Sequence, residues 1–173
     1  LPRLKNMGEI DPQDIYHSFR SYDERMLSWI KDIKEGQSAF DNERPENRPH
    51  KVVDGVIVEH QNKNGDKYTR CLWDKVAPCV HTRNDILASQ STIHPEDPRV
   101  FTIRELMSFM GIPSSFKWSH FDLDTLNSLS IEEKKQFLKK NEINIRQCLG
   151  EAVPTPIFQA IAKSIVAYEQ REV

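Results

Sequence analysis

The sequence has little of what marks several large protein classes. No apolar run approaches the roughly 18 residues of a membrane span, and no secretory leader is visible. The expectation is a cytoplasmic chain with no membrane partner. Only three cysteines occur, Cys71, Cys79 and Cys148, at wide and unrelated spacings that give neither a disulfide framework nor a zinc site. The six histidines lack paired ligand spacing, so no metal is expected. There is no excess of positive charge: 24 Lys and Arg stand against 26 Asp and Glu, a net charge of −2. A basic balance is the usual mark of a nucleic-acid binder, but phosphate contact needs local positive charge rather than a basic total. Hydrophobic residues make up 38% of the chain and the mean hydropathy is −0.63. That is polar for a self-sufficient core, although apolar residues are too plentiful for disorder. The composition suits a piece whose remaining core belongs elsewhere, and an initial Leu predicts a start that is not a natural one. There are no repeats or low-complexity tracts.

What is present divides by period. The first forty residues read as helical. Asp11-Pro12 places an N-cap before a first-turn proline, with Ile15 and Phe19 at helical spacing. Ser21 to Glu24 fits a capping box, and Tyr22, Met26, Ile30 and Ile33 form a stripe ending at Gly36. After a polar connection, Val52, Val53, Val56 and Val58 suggest a strand, broken or bulged at Asp54-Gly55. A turn over Asn62 to Asp66 and a returning strand over Tyr68 to Trp73 follow. The segments 77–82 and 86–93 offer further short strands. Helices resume where Thr102 and Glu105 form a capping box before Ile103, Leu106, Met107 and Met110, stopped by Gly111 and Pro113. Ser130 to Lys140 reads as a short exposed helix whose lysine pairs make a solvated face. Thr155-Pro156 opens a long one with Ile157, Ile161, Ile165 and Tyr168 on one side. The expected fold class is α+β: a small domain of short antiparallel strands and flanking helices, with a C-terminal helix.

Two segments carry a resemblance. Arg99-Val-Phe-Thr-Ile-Arg-Glu-Leu-Met-Ser-Phe-Met-Gly-Ile-Pro-Ser-Ser-Phe116 resembles the ninth conserved motif of DNA cytosine-5 methyltransferases. Further on, Arg146-Gln-Cys-Leu-Gly-Glu-Ala-Val-Pro154 and the helix after it resemble the tenth. Tyr68-Thr-Arg-Cys-Leu-Trp-Asp74, Ala77-Pro-Cys-Val-His-Thr-Arg83 and Ile93-His-Pro95 resemble the end of that family's target recognition domain. Leu1-Pro-Arg-Leu4 resembles the segment after its eighth motif. The resemblance implies that residues 1–145, with the ninth-motif helix at 102–110, form the small recognition domain. Residues 146–173 would then belong with a Rossmann-like catalytic domain, on which the last helix would pack. The family's Phe-x-Gly-x-Gly loop, Pro-Cys-Gln nucleophile and Glu-Asn-Val segment do not occur here. In the family a thiolate attacks C6 of a flipped cytosine and C5 takes the methyl group of S-adenosylmethionine. The chain alone is therefore expected to be inactive. Its expected partners are double-stranded DNA and a catalytic half, on the same chain or a second subunit.

Individual residues admit a plain and a functional reading. Pro78-Cys79 is followed by Val-His, so Cys79 reads as a strand hydrophobe rather than a nucleophile. Arg99, Thr102, Arg104 and Glu105 read as organisers of the domain. Arg83, Asn84 and Gln90, with Thr82 and Ser89 nearby, are candidates to reach base edges or phosphates; a solvated polar loop is the competing reading. Gly150, Glu151, Ala152 and Val153 are the cofactor-side candidates. Glu151 stands where the family carries an asparagine and so lacks the amide donor. A rival for the whole chain is a degenerate recognition domain that serves as a protein-interaction module.

Overall fold

The computed structural model describes residues 1–61 and 65–170. Its secondary structure is α+β, with two separate antiparallel hairpins, five α-helices and two short 3-10 turns among the described residues.

The chain opens with a hairpin, β1 (Ile10–Asp11) and β2 (Asp14–Ser18), where a helix is expected from the cap-and-proline pattern. The Asp11 carboxylate accepts the Gln13 amide at 2.9 Å, a side-chain-closed turn that competes with helix initiation. Five consecutive residues from Ile15 to Phe19 are buried. Helices α2 and α3 pack on β2, so a strand covered on both faces accounts for the continuous burial. α1 (Glu24–Ile30) follows, capped by Asp23, and ends before the expected Gly36, although Ile33 is still buried.

β3 (His50–Val53) and β4 (Val56–Glu59) pair with each other in register. Of the break or bulge expected at Asp54-Gly55, the structure has the break, a two-residue turn with φ of 51° and 78°, the primed geometry that right-twisted hairpins favour. The turn expected at Asn62 to Asp66 falls at 62–64 outside the described residues. The strands expected at 68–73, 77–82 and 86–93 are absent. Residues 67–100 make isolated bridges only, Lys67 with Gln90, Ser38 with Thr69, Arg70 with Ile93, and Ile93 with Val100. Tyr68 and Ser91 adopt φ of 53° and 44°, which breaks extended pairing on both sides.

α2 (Ile103–Phe109) has the full reciprocal capping box of Thr102 and Glu105. α3 (Leu123–Ser128) is short, and α4 runs over Ile131–Glu151. α4 continues well beyond the expected end at Lys140 because its buried stripe continues from Leu138 through Ile145 and Leu149. Lys134 is buried on that stripe, donating to the Pro12 carbonyl at 3.0 Å, and not part of a solvated face. The position 145/146 lies inside this helix, and the chain breaks at Ala152–Pro154. One core cluster gathers Ile15, Tyr16, Ile103, Met107, Ile145 and Leu149; a second gathers Trp29, Ile30, Tyr68, Leu87, Ile93 and Val100. α5 (Thr155–Glu169) has no buried residue. Its first turn touches the end of α2: a Cβ at Gly111 would lie 2.6 Å from the Pro156 ring.

Candidate nucleic-acid interface

Arg99 is 2% exposed and sits at the centre of a buried ionic cluster. Its two terminal nitrogens fork onto the Glu105 carboxylate at 2.7 and 2.8 Å, and Nε donates to Asp97 at 3.2 Å. Glu105 also accepts the Thr102 amide at 2.7 Å. Burial alone would raise the Glu105 pKa, but the Arg99 fork and the Thr102 amide bring it down to about 2. The Thr102 hydroxyl accepts the Glu105 amide and meets His17 Nδ1 at 3.1 Å. His17 Nε2 lies 2.7 Å from the Pro2 carbonyl. That carbonyl can only accept, so His17 Nε2 donates to it.

The turn leading into α2 is held as tightly. His94 Nδ1 accepts the amides of Glu96 and Asp97 at 3.2 and 3.0 Å. Burial, then the charge of Arg99, hold the His94 pKa below its ordinary value despite Glu105 and Asp97 nearby. Arg70 ties this turn to the end of α1, donating to the carbonyls of His94, Asp97 and Ile30. Arg104 is buried and grips the Asp14 carboxylate of β2 through Nε and Nη2. Thus Arg99, Thr102 and Glu105 share one network, and Arg104 joins the same helix to the first hairpin.

The segment 81–90 lies across α4, and Gly150 makes the crossing possible. A Cβ there would lie 2.3 Å from the Thr82 amide nitrogen and 2.4 Å from the His81 carbonyl. Asn84 is 2% exposed and donates to the carbonyls of His81 and Arg146 at 2.6 and 2.8 Å. Arg146 answers by donating to the Asn84 side-chain oxygen at 3.1 Å and the Phe101 carbonyl at 3.0 Å. Glu142 balances its charge at 2.9 Å and also takes Arg20 at 2.9 Å. Asn84 is therefore a clasp between loop and helix. Of the other expected residues in this loop, Thr82, Arg83 and Gln90 are exposed, while the Ser89 hydroxyl donates inward to the Arg83 carbonyl. Asp85, a residue the sequence reading did not single out, is buried and accepts Arg83 Nε at 2.9 Å. Arg20, Glu142 and Arg146 were likewise not expected as organisers. The one available signal was the four-residue spacing of Glu142 and Arg146 on an apolar stripe.

The expected cofactor-side residues lie at the end of α4. Gly150 is filled on its Cβ side by backbone, the Glu151 carboxylate accepts from Gln147 at 2.8 Å, and Ala152 and Val153 are exposed. Cys79 is exposed and not a strand hydrophobe. Cys71 is buried, which pushes its thiol up to about 11 and keeps it protonated at neutral pH. It borders a groove of about 370 Å³ lined also by Leu72, Trp73, Val76, Phe101 and Phe109. Among the described residues no cluster of three or more His, Cys, Asp or Glu could hold a metal ion, and no helix is long and apolar enough to cross a membrane.

The model of the C-5 cytosine-specific DNA methylase family matches residues 5–167. The chain is 30% identical over 167 residues to the Type II methyltransferase M1.HgaI of Avibacterium volantium, covering 87% of this chain and 38% of that protein. It is 27% identical over 118 residues to the Type II methylase M.HgiDII of Herpetosiphon aurantiacus, covering 64% and 28%. A shorter match, 36% identical over 63 residues, reaches the DNA (cytosine-5)-methyltransferase CMT2 of Arabidopsis thaliana, covering 36% of this chain and 5% of that one. The chain thus spans well under half the length of these relatives. No solved structure matches.

Proposed function

The chain belongs to the C-5 cytosine-specific DNA methylase family, and we propose that it is the family's target recognition part together with the helix that returns to the catalytic part. On this reading the chain holds duplex DNA through the major groove, selects the sequence and steadies the site once the cytosine has left the stack. The observation that carries the reading is the polar loop 82–90. It presents Arg83 and Gln90 to solvent while Asn84, Arg146 and Gly150 fix its backbone on a buried scaffold. A surface loop held by a rigid frame is the arrangement recognition needs.

The catalytic part, on the same polypeptide or a second one, would supply the thiolate, the carboxylate and most of the S-adenosylmethionine site. The end of α4 does not form a cofactor site by itself. Backbone fills the Cβ side of Gly150, and the Glu151 carboxylate, which accepts from Gln147 through one oxygen, brings no donor. Residues 150–153 would at most border the cofactor, and no chemical step is assigned to them. α5 supports a large partner surface, since Ile157, Ile161 and Ile165 are each at least 50% exposed. The chain by itself would transfer no methyl group.

The test is transfer of a labelled methyl group from S-adenosylmethionine to duplex DNA. It is run with this chain alone, with the catalytic part alone, and with both together. Activity that requires both, at a defined cytosine, is expected. DNA binding by the chain alone should be weak and weaken further with salt. The second reading, a protein-interaction module, draws on the acid at position 151. Absence of transfer with both parts folded and mixed would favour it and sink the recognition role.

A further inference from the structure

Resting on that recognition reading, we infer that Arg83 reads a guanine in the major groove and that Asp85 is the residue that aims it. The two side chains are unequal: the Arg83 side chain is 63% exposed, whereas that of Asp85 is 3% exposed. An isolated pair of this kind on a loop contributes little to stability. A carboxylate buried to this degree, by contrast, needs a charged partner, and Arg83 provides it at 2.9 and 3.4 Å through Nε and Nη2. The pairing does not bury the guanidinium. It fixes its orientation.

Asp85 occupies the side edge of the guanidinium, formed by Nε and Nη2. The terminal edge, with both Nη1 hydrogens and the second of Nη2, is left toward solvent. That edge presents two parallel donors, which match the N7 and O6 acceptors of guanine. The backbone on both sides is also immobilised. The Arg83 carbonyl accepts the Ser89 hydroxyl, and Asn84, between Arg83 and Asp85, is clasped to Arg146 of α4. A long side chain held in one geometry loses less freedom on binding, so contact is gained with selectivity. Asp85 and Asn84 act here as positioning residues, through Arg83.

The test is selection of duplexes from a randomised pool by the 173-residue protein at low salt, with Arg83→Ala, Arg83→Lys and Asp85→Asn alongside the unaltered chain. The unaltered protein should enrich a site containing a guanine that Arg83→Ala no longer prefers. Arg83→Ala should bind the enriched duplex about tenfold or more weakly. Arg83→Lys keeps the charge without the fork and should also lose preference at that one position. Asp85→Asn should blur the same position while leaving the salt dependence of binding in place, a split that loss of folding would not produce. Equal weakening on every sequence, with a salt slope lower by about one, would identify a phosphate contact and overturn the inference. An unchanged Arg83→Ala profile would overturn it too and leave the recognition reading standing. No guanine preference by the unaltered protein at any position would also overturn it, whereas the recognition reading itself stands or falls with methyl transfer in the combined assay.

Discussion

Helices α2 and α5 are written in similar apolar residues and meet opposite fates. In α2, Ile103, Leu106 and Met107 are each no more than 3% exposed, and its charged residues are consumed by Arg99 and Asp14. In α5, Ile157, Phe158, Ile161 and Ile165 are between 50% and 58% exposed. The difference is not in periodicity, which is helical in both. It lies in what packs on each face: α2 packs against β2 and α4, whereas no residue of α5 is buried. The α2 N-terminus is also closed by a hydroxyl and a carboxylate from its own sequence, whereas α5, starting at Thr155, has Pro154 at its N-cap and no side-chain cap. The α2 scaffold is self-contained, and α5 is a surface in search of a core. An apolar patch of that extent is the usual mark of an interaction site.

The α2 scaffold is most vulnerable at Arg99. Arg99→Ala would leave the carboxylates of Glu105 and Asp97 buried without their cation. Removing one member of such a pair costs about 3–5 kcal/mol. Urea unfolding should show a loss of that size; a loss under 1 kcal/mol would mean that the cluster opens to water and α2 is not the rigid element described.

Acid attacks the same cluster. Glu105 falls from an ordinary 4.5 to about 2 in the folded chain, so it stabilises the fold above pH 4.5. That contribution, about 3 kcal/mol, is lost as pH falls from 4.5 through about 2. His94 has a lowered folded value, so its contribution is present above 6.5 and is lost as pH falls through the folded value. The melting temperature should therefore decline in two stages on acidification. His94→Gln should remove the upper stage alone. A melting temperature flat from pH 7 to pH 3 would contradict both assignments.

Gly150→Ala comes next. The added methyl would overlap the backbone of His81 and Thr82, and overpacking against backbone costs about 1–3 kcal/mol. The sharper signature is local: amide exchange over 82–90 should accelerate more than exchange in α2. Uniform acceleration would mean that the loop is not separately held by α4.

How much of this could be read from the residues depends on how local the cause is. The α2 capping box, the Ser130 cap of α4 and the Pro156 start of α5 are signals within a few residues, and each helix begins where its signal lies. The hairpin at 10–18 was read as helix because Asp11-Pro12 is also a helix start. The competing Asp11 turn is just as local, and what decides between them, the burial of every residue from Ile15 to Phe19, depends on distant helices. The alternation at 68–73 is in the sequence, but Arg70 pairs with Gly36 and Gln37 while the next residue, Cys71, pairs with Ile93, so no single strand partner runs along it. The polar residues of the candidate loop are visible in the sequence. The division of labour within it was not legible, because Asn84 looks like Arg83 in sequence and is distinguished only by Arg146, 62 residues away.

The smallest effect on stability should come from α5, and it tests the comparison from its bare side. Deleting buried methylenes at Ile103 should cost about 2–5 kcal/mol. The same deletion at Ile161, half exposed and touching no core, should stay within about 0.5 kcal/mol. The proposed role predicts that Ile161→Ala with Ile165→Ala nevertheless lowers methyl transfer in the combined assay, through weaker association with the catalytic part. Because the fold does not depend on these side chains, such a loss would report on docking alone. An Ile161→Ala penalty as large as that at Ile103 would show that α5 folds back onto the scaffold. The contrast between the two helices would then be one of conformation rather than of partners.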